Sequence, residues 1–338
     1  MLENFRFSPP LKFFLAPSEP IYLPAYKGSA LRGGFGAAFK RTVCLTRLDN
    51  TTCAGCLLQE VCPYSYIFET PRINHAGIWR ASYDPHPFII EPPYETRQQY
   101  QPGEQLVFNL ILIGKGMDYL PYFILSFRTL GRIGLGRGKG RYSLVQVVSS
   151  NSLQGKREKQ IYDGVSNAIT SEWETRSFAD IAEEAQGLDR HRLTLRFLTP
   201  TRIKYRGKLT SQIDFEIFTR NLLRRLSWLA EVHCGEKWEL EWRKLLSKAN
   251  ERVKTINSHL RWYGWQRYSR RQNTRIAMGG FIGEITFEGE LAEFLPFIKL
   301  GEYLHIGGGT VYGLGKYRIT MQGGKYEHSY AGENTEGD

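Results

Sequence analysis

A glycine-rich segment occurs twice in the chain, at a spacing of 175 residues. Gly138-Lys139-Gly140-Arg141-Tyr142 returns as Gly313-Leu314-Gly315-Lys316-Tyr317, and Tyr119-Leu120-Pro121-Tyr122 returns at the same spacing as Phe294-Leu295-Pro296-Phe297. In both copies an alternating strand pattern precedes the Leu-Pro pair, and proline is favoured in the first turn of a helix. A chain that repeats these elements at one spacing is constrained to fold as two similar domains.

Each half extends this repeat toward its N-terminal end. Apolar runs at 11–15 and 193–199 predict a first strand, and the runs at 28–43 and 215–232 have helical spacing. One further strand is predicted in each half, around 87–91 and around 262–269. The order βαββαβ, twice, predicts an α+β fold of tandem ferredoxin-like (RRM-like) domains, each with a glycine-rich loop before its last strand.

These elements set the expected domain boundaries. We expect an N-terminal ferredoxin-like domain at 1–150, with a cysteine-rich insertion at 44–62, and a C-terminal ferredoxin-like domain at 191–322. The weakly patterned stretch 151–190 is interpreted as a linker with one short helix, and 323–338 as a flexible tail.

The charge favours a polyanionic partner. The net charge is +11, and the basic residues of the first glycine-rich loop and of an aromatic-rich segment at 261–275 form stripes rather than a tail. No apolar run reaches the roughly 18 residues that span a bilayer, so no membrane partner is expected. The first residues lack the pattern of a signal peptide, which makes a cytoplasmic location the expectation.

Four of the five cysteines lie close together, at Cys44, Cys53, Cys56 and Cys62. In a chain without a secretory signal, such a group is more often a metal site than a set of disulfides. Four thiolates would enclose a tetrahedral structural zinc, and Cys62-Pro63 leaves an iron–sulfur cluster as the alternative metal. Unligated or redox-paired thiols are the other interpretation.

Several stretches resemble the RAMP superfamily of CRISPR-associated proteins, and within it the pre-crRNA processing endoribonucleases. They are the glycine-rich segment at 26–36, the cysteine segment that ends in Tyr66-Ile67-Phe68-Glu69, His86-Pro87-Phe88, Gly264-Trp265-Gln266-Arg267-Tyr268-Ser269, and 304–317. The resemblance implies that the protein binds CRISPR repeat RNA, as pre-crRNA and crRNA, and cuts once in each repeat. It also implies CRISPR effector subunits or a second copy of the chain as further partners.

The reaction implied by this resemblance needs no metal ion or other cofactor. The RNA 2′-hydroxyl attacks the adjacent phosphorus, which gives a 2′,3′-cyclic phosphate and a 5′-hydroxyl. Such chemistry requires a base, an acid and positive charge near the phosphoryl oxygens. In this family the catalytic histidine commonly lies in or just before the first helix, but 26–44 contains no histidine here.

Our hypothesis for the site is therefore that His305 and Tyr26, from opposite domains, meet across the interdomain groove, with Lys27 at the phosphate. His86, beside two prolines, is the second histidine candidate. Phosphate or RNA contacts are predicted for a larger set of basic residues and loop glycines: Arg32, Lys40, Arg132, Arg137, Lys139, Arg141, Arg267, Arg271, Gly307, Gly308, Gly309, Gly313, Gly315 and Lys316.

Two other interpretations stay open. The missing helix histidine is also compatible with a non-catalytic RAMP subunit that binds crRNA within an effector complex. A generic zinc-stabilised RNA-binding protein outside CRISPR biology is the third interpretation. Aromatic residues among the arginines of 261–271 can stack on unpaired bases or pack within a strand pair.

Overall fold

The repeat predicted from the sequence appears as two antiparallel sheets with the same order of strands. The computed structural model describes residues 2–45, 53, 55–71, 84–149, 158–170, 173–238, 241–269 and 274–320. Its N-terminal sheet has the order β2-β3-β1-β4-β5-β6. The strands and helices of this half are β1 (Leu11–Pro17), α1 (Gly28–Val43), β2 (Phe88–Glu91), β3 (Leu106–Leu112), α2 (Leu120–Ile133), β4 (Tyr142–Ser149), β5 (Lys159–Asp163) and β6 (Ala168–Ile169).

The C-terminal sheet has the order β10-β11-β7-β12, which repeats the relation of the first four strands in the N-terminal sheet. Its half of the chain contains α3 (Phe178–Ala185), β7 (Arg192–Thr201), β8 (Ile203–Tyr205), β9 (Lys208–Thr210), α4 (Phe215–Cys234), α5 (Trp242–Arg252), β10 (Val253–Tyr263), β11 (Gly280–Gly289), α6 (Leu295–Leu304) and β12 (Tyr317–Thr320). A separate hairpin pairs Gln266–Ser269 with Thr274–Ala277. The prediction of tandem ferredoxin-like domains is confirmed.

Equivalent elements begin at equivalent residues in the two copies. α2 and α6 both begin with Leu-Pro, at Leu120 and Leu295, because proline needs no hydrogen-bond acceptor in the first helical turn. β4 and β12 both begin with a buried tyrosine. The hydroxyl of Tyr142 donates to Phe127 O (2.8 Å) and that of Tyr317 to Ile298 O (2.6 Å), which fixes each strand to the helix before it.

Buried aromatic rings fill the space between helices and sheet in each half. In the first half Phe35 of α1 stacks on Phe123 of α2, with ring centroids 4.6 Å apart. In the second half Phe197 of β7 contacts Phe281 of β11 edge to face at 4.9 Å. This core holds α1 and α2 against one face of the first sheet, and it therefore sets the position of polar residues on α1.

Two predictions about elements are wrong. The second strand of the C-terminal sheet is β10, which overlaps the predicted 262–269 only at its last two residues, and helix α5 precedes it; Gln266–Ser269 forms a strand of the separate hairpin instead. β10 is an edge strand whose side chains are mostly exposed on both faces, so its sequence lacks the alternation that marks a strand. In addition, 159–169 of the predicted linker forms β5 and β6, which extend the first sheet, whereas α3 forms where the short helix was predicted.

The chain divides into two compact units. The N-terminal unit contains Phe5–Arg176 and Trp228–Glu236, so it includes the end of α4. The C-terminal unit contains 177–227 and, among the described residues, 2–4 and 237–320. The predicted tail at 323–338 lies outside the described residues. None of the helices in the described part of the chain has the length and apolarity that crossing a bilayer requires.

Candidate functional site

A chain of hydrogen bonds in the N-terminal unit joins two residues that were predicted separately, Arg32 and His86. Arg32 Nη2 of α1 lies 3.2 Å from His86 Nε2, and His86 Nδ1 lies 3.0 Å from Thr70 Oγ1. A guanidinium only donates, so Nε2 is the acceptor and Nδ1 carries the proton. Thr70 in turn donates its hydroxyl to Asp84 O (3.1 Å). The partners therefore define one neutral tautomer of the partly buried His86.

The loop that supplies Thr70 has an uncommon backbone. Ser65–Glu69 forms a short π-helix, which ends at Thr70 with φ 42° and ψ 55°. A β-branched residue rarely adopts this left-handed conformation, and both features occur preferentially at functional sites. Here the conformation turns the Thr70 hydroxyl toward the imidazole of His86.

Close packing of the π-helix against α1 places the Arg32 guanidinium. The guanidinium carbon lies 4.2 Å from the centroid of the Phe68 ring, close enough for a cation–π contact. Gly36 of α1 makes room for this ring, because a Cβ at that position would lie 2.1 Å from Phe68 Cζ. The glycine-rich character of α1 thus serves a direct contact between the helix and the loop.

The segment just before His86 is held by the end of α4, which belongs to the same unit. Trp228 Nε1 donates to Asp84 Oδ1 (3.2 Å), and His233 Nε2 donates to Pro85 O (2.6 Å). His233 Nδ1 then accepts the hydroxyl of Tyr66 at 3.0 Å. Burial raises the pKa of Tyr66 well above its usual value, which keeps this hydroxyl protonated. His233 is a positioning element that the sequence alone did not reveal.

Tyr26 and Lys27 are both buried in the N-terminal unit. Lys27 Nζ donates to two backbone carbonyls, Ala25 O (3.2 Å) and Glu95 O (2.5 Å). Burial lowers the pKa of Lys27 to about 8, and the neighbouring Glu95 opposes part of this shift. With no exposed surface, Lys27 cannot contact an RNA phosphate in this structure, and its contacts instead join α1 to the Glu95 segment.

His305 is also fully buried, in the C-terminal unit. Its Nδ1 lies 3.0 Å from Leu314 O, which can only accept, so the ring donates to the glycine-rich loop. The backbone of His305 has φ 61° and ψ 169°, a region that is nearly restricted to glycine. Arg225 caps the end of α6 beside it by donating to Leu304 O and His305 O. In this structure His305 holds the loop closed and has no surface for a substrate.

The second glycine-rich loop is likewise more enclosed than the sequence suggests. Gly307, Gly308 and Gly309 keep some exposed surface, whereas Gly313, Gly315 and Lys316 are buried. At Gly315 a Cβ would lie 1.8 Å from Ile306 O, so close backbone packing within the loop requires this glycine. Arg267 of the neighbouring hairpin lies over the Tyr312 ring, 5.2 Å from its centroid.

The first glycine-rich loop presents its cations to solvent, as its predicted role requires. All four are exposed, and within the described part of the chain only Arg141 lies near a carboxylate, 3.8 Å from Glu19. They are Arg132, Arg137, Lys139 and Arg141. Lys40 of α1 is exposed as well, with Nζ 5.9 Å from the centroid of the Tyr64 ring. Arg271 lies outside the described residues.

The four clustered cysteines, Cys44, Cys53, Cys56 and Cys62, are free thiols. Cys44 directly follows α1, where its N–H donates to Lys40 O, and Cys56 donates its N–H to Cys53 O within a turn. Among the described residues, no three His, Cys, Asp or Glu side chains are arranged to hold a metal ion. Zinc binding by these cysteines therefore stays a prediction.

Comparisons with solved structures show where this fold recurs. A Cas6 product complex matches with a TM-score of 0.57 and 18% identity, over 94% of this chain and 100% of the other. Cas6 of Thermus thermophilus matches with a TM-score of 0.54 and 16% identity, over 94% and 99%. A partial Cas6-RT-Cas1–Cas2 complex matches with a TM-score of 0.57 and 12% identity, over 97% of this chain and 49% of the other.

Sequence comparisons identify the family. An uncharacterized protein of Archaeoglobus fulgidus is 24% identical over 308 residues, which cover 88% of this chain and 93% of the relative. Residues 6–174 match the family model of the AF_1859_N N-terminal domain. Residues 195–317 match the model described as CRISPR-associated endoribonuclease Cas6. The C-terminal ferredoxin-like domain thus matches the Cas6 endoribonuclease family and the N-terminal domain matches AF_1859_N, and together with the Cas6-like fold these matches identify the chain as a CRISPR-associated protein of the pre-crRNA processing type.

Proposed function

We propose that this protein cuts CRISPR repeat RNA at a site formed by His86 and Arg32 of its N-terminal unit. The observation that carries the proposal is the hydrogen-bond chain from Arg32 through His86 to Thr70. In this chain an imidazole with a defined acceptor nitrogen lies beside the Arg32 guanidinium in a partly exposed position, which supports a proposed base next to a proposed phosphate contact. This arrangement supplies the base that the absence of a histidine in α1 had left unassigned.

In the proposed reaction, the guanidinium of Arg32 binds an RNA phosphate in place of His86, which leaves Nε2 of His86 without its hydrogen-bond donor. Nε2 removes the proton of the 2′-hydroxyl, and the 2′-oxygen forms a bond to phosphorus. The bond from phosphorus to the 5′-oxygen breaks, and that oxygen takes a proton from solvent. The products are a 2′,3′-cyclic phosphate and a 5′-hydroxyl. Arg32 stabilises the charge that develops on the phosphoryl oxygens, and the route uses no metal ion.

The exposed cations of the first glycine-rich loop are the proposed RNA-binding surface. Arg132 in the last turn of α2 and Arg137, Lys139 and Arg141 of the loop that follows are all exposed, so contacts to phosphates should dominate the affinity and weaken steeply with salt. Because similar structures include a Cas6 product complex and a Cas6-RT-Cas1–Cas2 complex, we propose crRNA and other CRISPR proteins as the partners. A homodimer is the alternative assembly.

The test is cleavage of the cognate repeat RNA in excess chelator, with the product ends mapped. His86→Gln should lower the cleavage rate by about 10²- to 10⁴-fold, the usual contribution of a general base. His191→Gln, which changes an exposed histidine of β7's N-terminal flank, is the matched control and should cleave normally. RNA with a 2′-deoxy nucleotide at the cut site should bind and stay intact.

Three outcomes would overturn parts of the proposal. Near wild-type cleavage by His86→Gln removes His86 from the site. Cleavage of the 2′-deoxy RNA excludes attack by the 2′-hydroxyl, and loss of cleavage in chelator by a folded protein excludes the metal-free route. Tight RNA binding by the wild-type protein without any cleavage would instead favour a non-catalytic RAMP subunit, whose helix also needs no histidine.

A further inference from the structure

An open cleft of about 530 Å³ lies in the C-terminal unit, among α4, α5 and the hairpin formed by β8 and β9. This volume falls within the range of about 300–1,000 Å³ that is typical of small-ligand sites. α4 contributes Glu216 and Arg220, α5 contributes Trp242 and Arg243, and the hairpin contributes Tyr205. None of these residues belongs to the unit that contains His86.

Two aromatic side chains line the cleft at defined places in the fold, and the Arg206 guanidinium carbon lies 5.2 Å from the centroid of the Tyr205 ring. Tyr205 directly precedes the tight turn of the hairpin, where Arg206 and Gly207 have φ of 49° and 83°. Trp242 begins α5 and packs against the buried Trp238, with ring centroids 6.3 Å apart. Both rings remain partly exposed. Rigid, partly exposed aromatic rings are the surfaces on which proteins stack unpaired bases.

The charges of the cleft separate its interior from its rim. Glu216 is largely buried on the wall, where its Oε1 accepts from Arg220 Nε at 2.7 Å. A carboxylate in this position repels phosphate but accepts hydrogen bonds from a nucleobase. The rim is cationic, because Arg243 and the hairpin residues Arg206 and Lys208 are exposed. The interior therefore fits a base, and the rim fits the phosphates that flank it.

We propose that this cleft binds an unpaired nucleotide of the RNA, with its base against Tyr205 and Trp242 and its phosphates on Arg243 and the hairpin. The proposal rests on the proposed function only in taking RNA as the substrate. It assigns a binding role to α5 and to the β8–β9 hairpin, neither of which belongs to the repeated βαββαβ pattern.

Binding of a labelled, unstructured uridine decamer tests the proposal, with all proteins carrying His86→Gln so that cleavage plays no part. Trp242→Ala and Tyr205→Ala should each raise the Kd at least fivefold, because loss of base stacking commonly costs that much. Trp242→Phe should restore most of the affinity. Tyr122→Ala, an exposed tyrosine of the N-terminal unit, is the aromatic control and should change the Kd less than twofold.

A charge variant and a crosslink complete the experiment. Arg243→Gln should weaken binding and lower the slope of the logarithm of the binding constant against the logarithm of the salt concentration by about one. Lys159→Gln, which removes one exposed charge from β5, should change neither quantity. RNA that contains 4-thiouridine should crosslink to a peptide with Tyr205 or Trp242. Circular dichroism establishes that each variant is folded; if Trp242→Ala is not, Tyr205→Ala and the crosslink decide.

The proposal is overturned if folded Trp242 and Tyr205 variants bind within twofold of their parent protein. It is also overturned if inorganic phosphate competes for the cleft and only Arg243→Gln weakens binding, since the cleft would then hold an anion and no base. Either result leaves cleavage at His86 unaffected, and a failure of the His86 test leaves binding in the cleft unaffected.

Discussion

Two glycines of α1, Gly33 and Gly36, provide a matched test of how the candidate site is built. A Cβ at Gly36 would lie 2.1 Å from Cζ and 2.3 Å from Cε2 of Phe68, whereas a Cβ at Gly33 would meet no atom within 4 Å. Alanine at either position gains about 1 kcal/mol of helix propensity. The difference between the two alanine variants therefore isolates the clash with the Phe68 ring.

The magnitude follows from what surrounds that ring. Phe68 stacks on Tyr64, with ring centroids 5.2 Å apart, and the Arg32 guanidinium covers its face, so the ring cannot move aside without repacking. Overpacking of this kind typically costs about 1–3 kcal/mol. We expect the free energy of unfolding of Gly36→Ala to lie below that of Gly33→Ala by this amount. Because the displaced ring supports Arg32, Gly36→Ala should also slow cleavage, while Gly33→Ala should not.

Urea unfolding, followed by near-ultraviolet circular dichroism, measures the stability difference, and a cycle with Phe68→Ala tests its cause. Without the Phe68 ring, Gly36→Ala should stabilise the protein as much as Gly33→Ala does. If the two alanine variants differ by less than about 0.5 kcal/mol when Phe68 is present, the packing argument is refuted.

The remaining predictions concern the buried groups and the cysteines. Burial lowers the pKa of Lys27 to about 8, so above that pH the protein takes up a proton when it unfolds. The free energy of unfolding of the wild-type protein should therefore rise by about 2 kcal/mol from pH 8 to pH 10, relative to that of Lys27→Met. If urea unfolding shows the same difference between the two proteins at both pH values, this prediction is wrong. His305→Gly should unfold at a higher temperature than His305→Ala. Both variants lose the imidazole ring, but only alanine keeps the backbone strain of a positive φ, which costs about 1–3 kcal/mol. Equal melting temperatures would contradict this reasoning. Metal analysis of purified protein tests the predicted metal site: about one equivalent of zinc or iron is expected, and less than about half an equivalent refutes it.

The sequence predicts the sheets well because their determinants are local and occur twice. The Leu-Pro pairs start α2 and α6, and Tyr142 and Tyr317 start the last strands, as the repeat predicts. β10 could not be predicted from its pattern, because an exposed edge strand needs no apolar alternation and its charged sequence resembles a loop. Local sequence patterns thus predict the strands and helices that bury one face, but they do not predict β10, which has no buried face.

The candidate site depends on contacts that no local pattern contains. His86 and Arg32 are 54 positions apart, and each looks ordinary until α1 and β2 pack on the same core. Thr70 has no sequence signal at all, because its role comes from a left-handed backbone at the end of a π-helix. The sequence indicates the proline-flanked His86 as a candidate, but only the fold identifies its partners.

The repeat also explains why His305 attracts attention in the sequence and yet lies in the core. At the spacing of the repeat, His305 corresponds to Leu130, a buried residue in the last turn of α2. α6 ends at Leu304, so in the second domain the core position that Leu130 fills in the first is occupied by His305, a residue with positive φ just after the helix. Its imidazole fills that apolar position and donates one hydrogen bond to Leu314 O, which a leucine cannot do. Because a duplicated fold preserves its core positions, a polar residue at such a position is more simply a structural replacement than a catalyst. By the same argument, a catalyst is expected at a position that keeps exposed surface, as the partly exposed His86 does.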